Sequence, residues 1–100
     1  MMTYTIRNWT VKRGRDQDFV AAWRVFARWM VSQKGMIGPA RLFKDNLDPA
    51  HYVSIDSWED EATRDSIQVG VQFGKQAYKL EQLSMDSSSR SFSLEAELVL

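Results

Sequence analysis

The chain alternates between strand-like and helix-like patterns of apolar residues. Residues 4–11 (YTIRNWTV) are rich in β-branched and aromatic side chains and run into a basic glycine turn, which predicts the first strand. Large apolar side chains then recur at spacings of four, three and four residues, which predicts an amphipathic helix with one apolar stripe. Its members are Phe19, Trp23, Phe26 and Met30. Asp16 is expected to cap this helix, and Gly35 to end it.

A β-hairpin is predicted over residues 40–58, ARLFKDNLDPAHYVSIDSW. Two runs of strand-forming residues flank the turn cluster at 46–49, where proline fixes its own φ and disfavours helical geometry at the residue before it. Gly38-Pro39 is expected to break the chain ahead of the first arm. In the second arm, Val53 and Ile55 are expected to face the helices, because side chains alternate across a strand.

A second helix and a last strand complete the pattern. The acidic run after Trp58 favours a helix N-terminus with Asp60 as its cap. An apolar stripe then continues to about Ser84, although two glycines weaken its middle. Residues 87–89 are all serine and are expected to form a loop, whereas residues 91–100 alternate apolar and polar positions and predict the last strand.

The order of these elements predicts an α+β fold. Strand, helix, strand, strand, helix, strand is the ferredoxin-like order βαββαβ, in which two helices cover one face of a four-stranded antiparallel sheet. One hundred residues suit a single domain, 1–100, with one modest core. The strands carry large apolar groups on both sides, and burying one aromatic side chain removes about 150 to 250 Å² of surface. We therefore expect a homodimer that forms through the sheet face.

The composition of the chain argues against several kinds of partner and metal site. Thirteen basic and thirteen acidic residues cancel, so no strong field favours nucleic acid or anionic lipid. Without cysteine there is no disulfide or thiolate site, and a single histidine argues against a zinc site. The chain lacks a signal-peptide pattern and lacks the roughly eighteen consecutive apolar residues of a membrane helix. No membrane association is expected, and the expected location is cytoplasmic.

Several stretches resemble the antibiotic biosynthesis monooxygenase family of dimeric α+β barrel proteins. They are the first strand through Asn8-Trp9 to Gly14, the aromatic helix DFVAAWRVFARW, the hairpin, and the entry into the second helix at residues 58–62. The resemblance covers nearly the whole chain and implies a dimeric barrel. Enzymes of that family add oxygen to electron-rich aromatics such as quinols and anthrones without metal or flavin. The resemblance therefore implies a small aromatic ligand and no cofactor.

The haem-degrading branch of that family offers a second comparison. It uses an asparagine in the first strand and a histidine in the second helix. Asn8 lies one position out of that register when counted back from Gly14, which reverses its face. No histidine occurs between Trp58 and Leu100, and Tyr78 is the nearest substitute. Haem degradation is therefore not expected.

Five residues are pocket candidates, and each also has a structural interpretation: Asn8, His51, Asp56, Trp58 and Tyr78. Trp58 either forms a pocket wall or anchors the second helix to the sheet. His51 either acts as a general base near neutral pH or lies at the surface where its strand begins. Asn8 and Asp56 either form hydrogen bonds in an interface or point into a cavity. Tyr78 either donates to a substrate oxygen or packs the helix against the sheet, and no motif identifies a catalytic residue.

The leading hypothesis is a cofactor-independent monooxygenase that oxidises a phenolic, quinol or anthrone-like molecule. Its pocket would lie between helices and sheet, provided that Trp23, Phe26 and Phe73 leave room for an aromatic ring. One alternative is a non-catalytic dimeric barrel that binds a small ligand or serves in a stress response. Another is isomerase or lyase chemistry, because one fold hosts many functions.

Overall fold

The computed structural model describes residues 2–100, which form a four-stranded antiparallel sheet and three helices. The strands are β1 (Thr3–Val11), β2 (Met36–Lys44), β3 (His51–Trp58) and β4 (Ser84–Ser93). The helices are α1 (Asp16–Val31), α2 (Glu61–Gln68) and α3 (Val71–Gln82). The strand order β2-β3-β1-β4, with every neighbour antiparallel, confirms the predicted ferredoxin-like fold. No helix in the described part of the chain is long and apolar enough to cross a membrane.

The core lies between the helices and one face of the sheet. It contains ten buried apolar residues: Trp9, Val11, Phe19, Phe26, Met30, Tyr52, Trp58, Ala77, Leu80 and Leu83. Phe19 from α1 packs between two strand aromatics, with its ring centre 5.5 Å from that of Trp9 and 5.3 Å from that of Tyr52. The predicted apolar stripe of α1 is therefore what binds this helix to the sheet.

The predicted orientation of β3 is wrong. Val53 and Ile55 point away from the helices, while Tyr52, Trp58 and the two polar residues of the same parity are buried beneath them. Both faces of this strand carry apolar side chains, so its alternation alone is consistent with either orientation. The orientation that the structure adopts encloses the two aromatic residues, which have the larger surface to bury.

The second predicted helix is divided into α2 and α3. The division falls at Gly70, whose extended backbone (φ −71°, ψ 150°) forms the N-cap of α3. The predicted cap of α2 is confirmed, because an Asp60 carboxylate oxygen accepts from the Thr63 backbone N–H at 2.7 Å. Three helices rather than two therefore contribute to the layer above the sheet.

Two local predictions near the hairpin are also wrong. Asp16 does not cap α1, whose N-cap is Arg15, and its carboxylate instead accepts from the Tyr52 hydroxyl at 2.7 Å. Gly38 does not break the chain before the hairpin but lies within β2, at positive φ (74°). The pairing register with β3 shifts between residues 37 and 41, so the irregularity is a bulge inside the strand.

The last strand also lies earlier than predicted. β4 includes the serines at 87–89 and pairs with β1 over its full length, from Thr3 opposite Ser93 to Val11 opposite Ser84. Backbone hydrogen bonds to a central strand stabilise this edge strand although its side chains are mostly polar. Residues 94–100, which alternate most regularly in sequence, have no regular secondary structure and are exposed.

The sheet face opposite the helices is not covered by any described residue and is partly apolar. It presents Tyr4, Ile6, Phe43, Val53, Ile55 and Phe92. The rings of Phe43 and Phe92 are 48% and 47% exposed. We call this surface the open face, and its apolar content is the kind that marks an interaction site.

Candidate functional site

A narrow cleft lies between α1 and the inner face of the sheet, and we call it the α1 cleft. Its lining combines an apolar wall with three polar strand residues: Arg7, Trp23, Phe26, Ala27, Met30, Ala40, Ser54, Ile55 and Asp56. Only about 10 Å³ is open to the centre of a water molecule, which is room for roughly one water. Trp23 and Phe26 therefore leave no space for an aromatic ring in this conformation.

Asp56 provides the carboxylate of the α1 cleft. It is 6% exposed, and one of its oxygens accepts from the Trp58 indole N–H at 3.0 Å. Burial raises the pKa of Asp56, against the opposing influence of the Arg7 charge, the Trp58 hydrogen bond and the Arg64 charge. A buried carboxylate with a raised pKa in a cleft is a candidate general base.

Arg7 projects from the middle of β1, between Ser54 on β3 and Ser89 on β4. It is 8% exposed, and its guanidinium carbon lies 4.9 Å from the centre of the Phe73 ring. Its Nε and Nη2 atoms are enclosed and have no hydrogen-bond acceptor among residues 2–100. Burial lowers the pKa of Arg7, while the Asp56 charge acts in the opposite direction.

The neighbouring polar side chains are held by hydrogen bonds within the protein. The Trp9 indole donates to the Ser54 hydroxyl at 3.1 Å. A second buried arginine, Arg64 of α2, donates from Nε to the Thr5 hydroxyl at 2.7 Å and from Nη1 to the Asp65 carboxylate at 2.7 Å. These bonds fix the orientation of the side chains beside the α1 cleft, and they provide acceptors for the Arg64 guanidinium.

A second opening, which we call the β4 groove, lies on the other side of Arg7. It is bordered by Arg7, Trp9, Glu81 and the serines at 87–89, and about 230 Å³ of it is open to water centres. The lining is polar, because β4 presents serines on this face of the sheet. Arg7 therefore stands between an apolar cleft and a polar groove.

Two of the five sequence candidates are brought together beside the α1 cleft. Asp56 lines it, and Trp58, fully buried, is hydrogen-bonded to that carboxylate. Tyr78 lies outside, 62% exposed on α3, where its hydroxyl accepts from the Gln82 side chain at 3.1 Å. Among residues 2–100, no group of three or more His, Cys, Asp or Glu side chains is placed to hold a metal ion.

Asn8 and His51 lie together on the open face. Nε2 of His51 is 2.8 Å from the Asn8 side-chain oxygen, and Nδ1 is 2.9 Å from a carboxylate oxygen of Asp45. The hydrogen bond from His51 is the main cause that lowers the pKa of Asp45. These three side chains form a polar network at the base of the hairpin, on the face of the sheet away from the α1 cleft.

Arg7 and Ser54 are the cleft residues that sequence reasoning missed. The signal for Arg7 was present, because it shares a strand face with Trp9 and Val11 and must point to the same side as they do. Ser54 had no such signal, because its strand is compatible with two orientations.

The family model for antibiotic biosynthesis monooxygenases matches residues 2–66. No curated protein matches the sequence. SnoaB, a cofactor-independent oxygenase from Streptomyces nogalater, is 22% identical, with a TM-score of 0.86 over 97% of this chain and 96% of that one.

Two further solved structures are similar. A conserved protein from Methanosarcina mazei Go1 is 14% identical, with a TM-score of 0.83 over 95% of this chain and 94% of that one. The protein PA3566 from Pseudomonas aeruginosa is 18% identical, with a TM-score of 0.77 over 95% of each chain. At these identities the structural likenesses show a common fold.

Proposed function

Because the chain belongs to the antibiotic biosynthesis monooxygenase family, we propose that it is a cofactor-independent monooxygenase of a small phenolic, quinol or anthrone-like aromatic. The observation that carries the proposal is Asp56, a buried carboxylate with a raised pKa in a cleft whose wall is apolar. The fold similarity to SnoaB, a cofactor-independent oxygenase, supports it.

The proposed chemistry begins with removal of a proton from the substrate by Asp56. The resulting carbanion or phenolate is the reductant of molecular oxygen. For an anthrone-like substrate, the methylene carbon loses four electrons and becomes a carbonyl, and oxygen gains the same four. One oxygen atom enters the carbonyl, and the other leaves as water with the two methylene hydrogens. The apolar wall excludes bulk water from the substrate anion.

Entry of an aromatic ring requires the α1 cleft to widen. Trp23 is half-buried at the cleft, whereas Phe26 and Met30 are fully buried in the core. Trp23 can therefore move at the lowest cost in buried area, and we infer that the substrate ring takes its place. The small volume of the cleft is also the observation that favours the alternative, a non-catalytic barrel that binds a smaller ligand.

The test is oxygen uptake by chelator-treated protein over a panel of quinols and anthrones. We expect Asp56→Asn to lower kcat by about 10²- to 10⁴-fold, because it removes the general base while keeping the side-chain shape. Asp86→Asn, an exposed carboxylate paired opposite Thr10, is the matched control and should retain wild-type uptake. Full uptake by Asp56→Asn would exclude the proposed base, and no uptake by the wild type would favour the binding alternative.

We also propose that the chain forms a homodimer through the open face and so builds a dimeric α+β barrel. The apolar side chains on that face support this arrangement, since packing two such faces together removes their rings from water. The α1 cleft lies on the other side of the sheet, so its access would not be blocked by the partner.

A further inference from the structure

Arg7 is a buried positive charge without a bound partner. Among residues 2–100, none of the ion pairs within 4.0 Å includes it, and Nε and Nη2 have no acceptor. Buried charges in folded proteins are normally paired, because a charge removed from water without a partner destabilises the fold. Two unused donors on a residue that is more than nine-tenths buried therefore indicate a place for an acceptor that the chain itself does not supply.

The charged groups that face Arg7 come from three other elements. Asp56 of β3 and Glu81 of α3 are negative, and Arg64 of α2 is positive. Asp56 already accepts from Trp58, and Glu81 is exposed at the β4 groove. Arg64 is paired with the Asp65 carboxylate at 2.7 Å, whereas the Arg7 guanidinium has no ion-pair partner within 4.0 Å among residues 2–100.

The surroundings of the guanidinium define what kind of acceptor fits. Phe73 packs against it, with 4.9 Å from the guanidinium carbon to the ring centre, so this face is occupied by a cation–π contact. The side toward α1 is lined by Trp23 and Phe26. A ligand with an aromatic body and one anionic oxygen would match the apolar wall with its ring and the guanidinium with its oxygen.

We propose that Arg7 binds the ionised oxygen of an aromatic ligand, a phenolate or enolate, and thereby selects acidic aromatics over neutral ones. The inference deepens the proposed function by naming the substrate class, and it rests on that function for the aromatic ring. Arg7 would then stabilise the anion that forms when Asp56 removes the substrate proton. Ser54, fixed by Trp9, would lie beside the same oxygen.

The test uses para-nitrophenol, whose phenolate and phenol forms can both be populated near neutral pH, and nitrobenzene as a neutral analogue. Equilibrium dialysis above and below the titration of the ligand gives the dissociation constant of each form. The wild type should bind the phenolate about tenfold more tightly than the phenol, because an adjacent opposite charge lowers a pKa by about one unit or more. Nitrobenzene binding should not vary with pH.

Three variants locate the preference. Arg7→Met should bind phenolate and phenol equally, and Arg7→Lys should keep part of the preference because it keeps the charge without the planar fork. Arg13→Met removes an exposed arginine from the turn between β1 and α1, away from the cleft and the open face, and should behave as wild type. Thermal unfolding checks that each variant folds, which we expect because Arg7→Met removes an unpaired buried charge.

The results for ligand binding and for oxygen uptake test the role of Arg7 and the monooxygenase activity independently. A wild type that does not favour the phenolate, or an Arg7→Met variant that still does, would overturn the role of Arg7. Phenolate preference that depends on Arg7 without any oxygen uptake would support the role while the monooxygenase proposal fails. Uptake that is undiminished in Arg7→Met would overturn the role and leave the oxygenase intact.

Discussion

Trp58 and Asp56 form one unit at the residue scale. The indole is fully buried, so its N–H has a fixed direction, and it donates to the carboxylate at 3.0 Å. Burial raises the pKa of Asp56, whereas a hydrogen bond to the charged form lowers it. Trp58 therefore limits how far the pKa of Asp56 rises and keeps the carboxylate charged over a wider range of pH.

Trp58→Phe should move the acid limb of the pH–activity profile to higher pH. Asp56 acts as a base only when charged, so activity falls as pH falls through its pKa, which lies above the ordinary 3.8. Loss of the Trp58 donor raises that pKa further, because the indole N–H stabilises the charged form of the carboxylate. The measurement is kcat/KM against pH. The control is Trp29→Phe, because the Trp29 indole packs against Phe73. If the midpoint of the acid limb were unchanged in Trp58→Phe, the proposed effect of Trp58 on Asp56 would be wrong.

At the scale of elements, the junction near Gly35 joins three parts of the fold. Gly35 follows α1 and precedes β2, and its carbonyl accepts from the Glu59 N–H ahead of α2 at 2.8 Å. Its φ of 96° is the left-handed conformation that its sequence position predicts, although α1 ends at Val31. A side chain at this position would also collide with Thr63 of α2.

Two glycine replacements should therefore have opposite effects on stability. Gly35→Ala should lower the free energy of unfolding by about 1 to 3 kcal/mol, because it combines a left-handed φ with a clash. Gly74→Ala, inside α3 with open space around its Cβ position, should raise it by about 0.5 to 1 kcal/mol through helix propensity. Urea titration of both variants checks this, and equal effects would show that the junction tolerates a side chain.

Elements governed by local chemistry could be predicted from sequence, and elements governed by pairing could not. The apolar stripe of α1 and the Asp60 cap depend on neighbours a few residues away, and the structure contains both. β4 depends on backbone bonding to β1, which a run of serines makes as well as apolar residues do. The same holds for the candidate site: Asp56 was recognisable as a polar strand residue, but Arg7 required the inner face of β1 to be known.

The open face is the feature that matters at the scale of the whole molecule. The structure is 39 × 37 × 19 Å, a thin two-layer arrangement with helices on one side only. Apolar strand residues that would be buried in a thicker protein remain at the surface, among them Phe43 and Phe92. A second copy placed face to face would provide the missing layer, which is why we propose the homodimer.

Ile6→Lys should convert the protein to a monomer. Ile6 lies on the open face between Ile55 and Arg90, so an ammonium group there would be buried in the proposed interface beside a like charge. Val25→Lys, at an exposed position of α1, is the control and should not change the mass. Light scattering at micromolar protein decides the question, and a wild-type monomer would exclude the proposed dimer.

The most direct test of the central claim is a turnover under isotopically labelled oxygen gas with chelator-treated protein and an accepted quinol or anthrone. The proposed reaction places one labelled oxygen atom in the product, and we expect product formation to be lost in Asp56→Asn and retained in Asp86→Asn. Product that carries oxygen from water, or labelled product formed equally by Asp56→Asn, would contradict a monooxygenase reaction that depends on the α1 cleft.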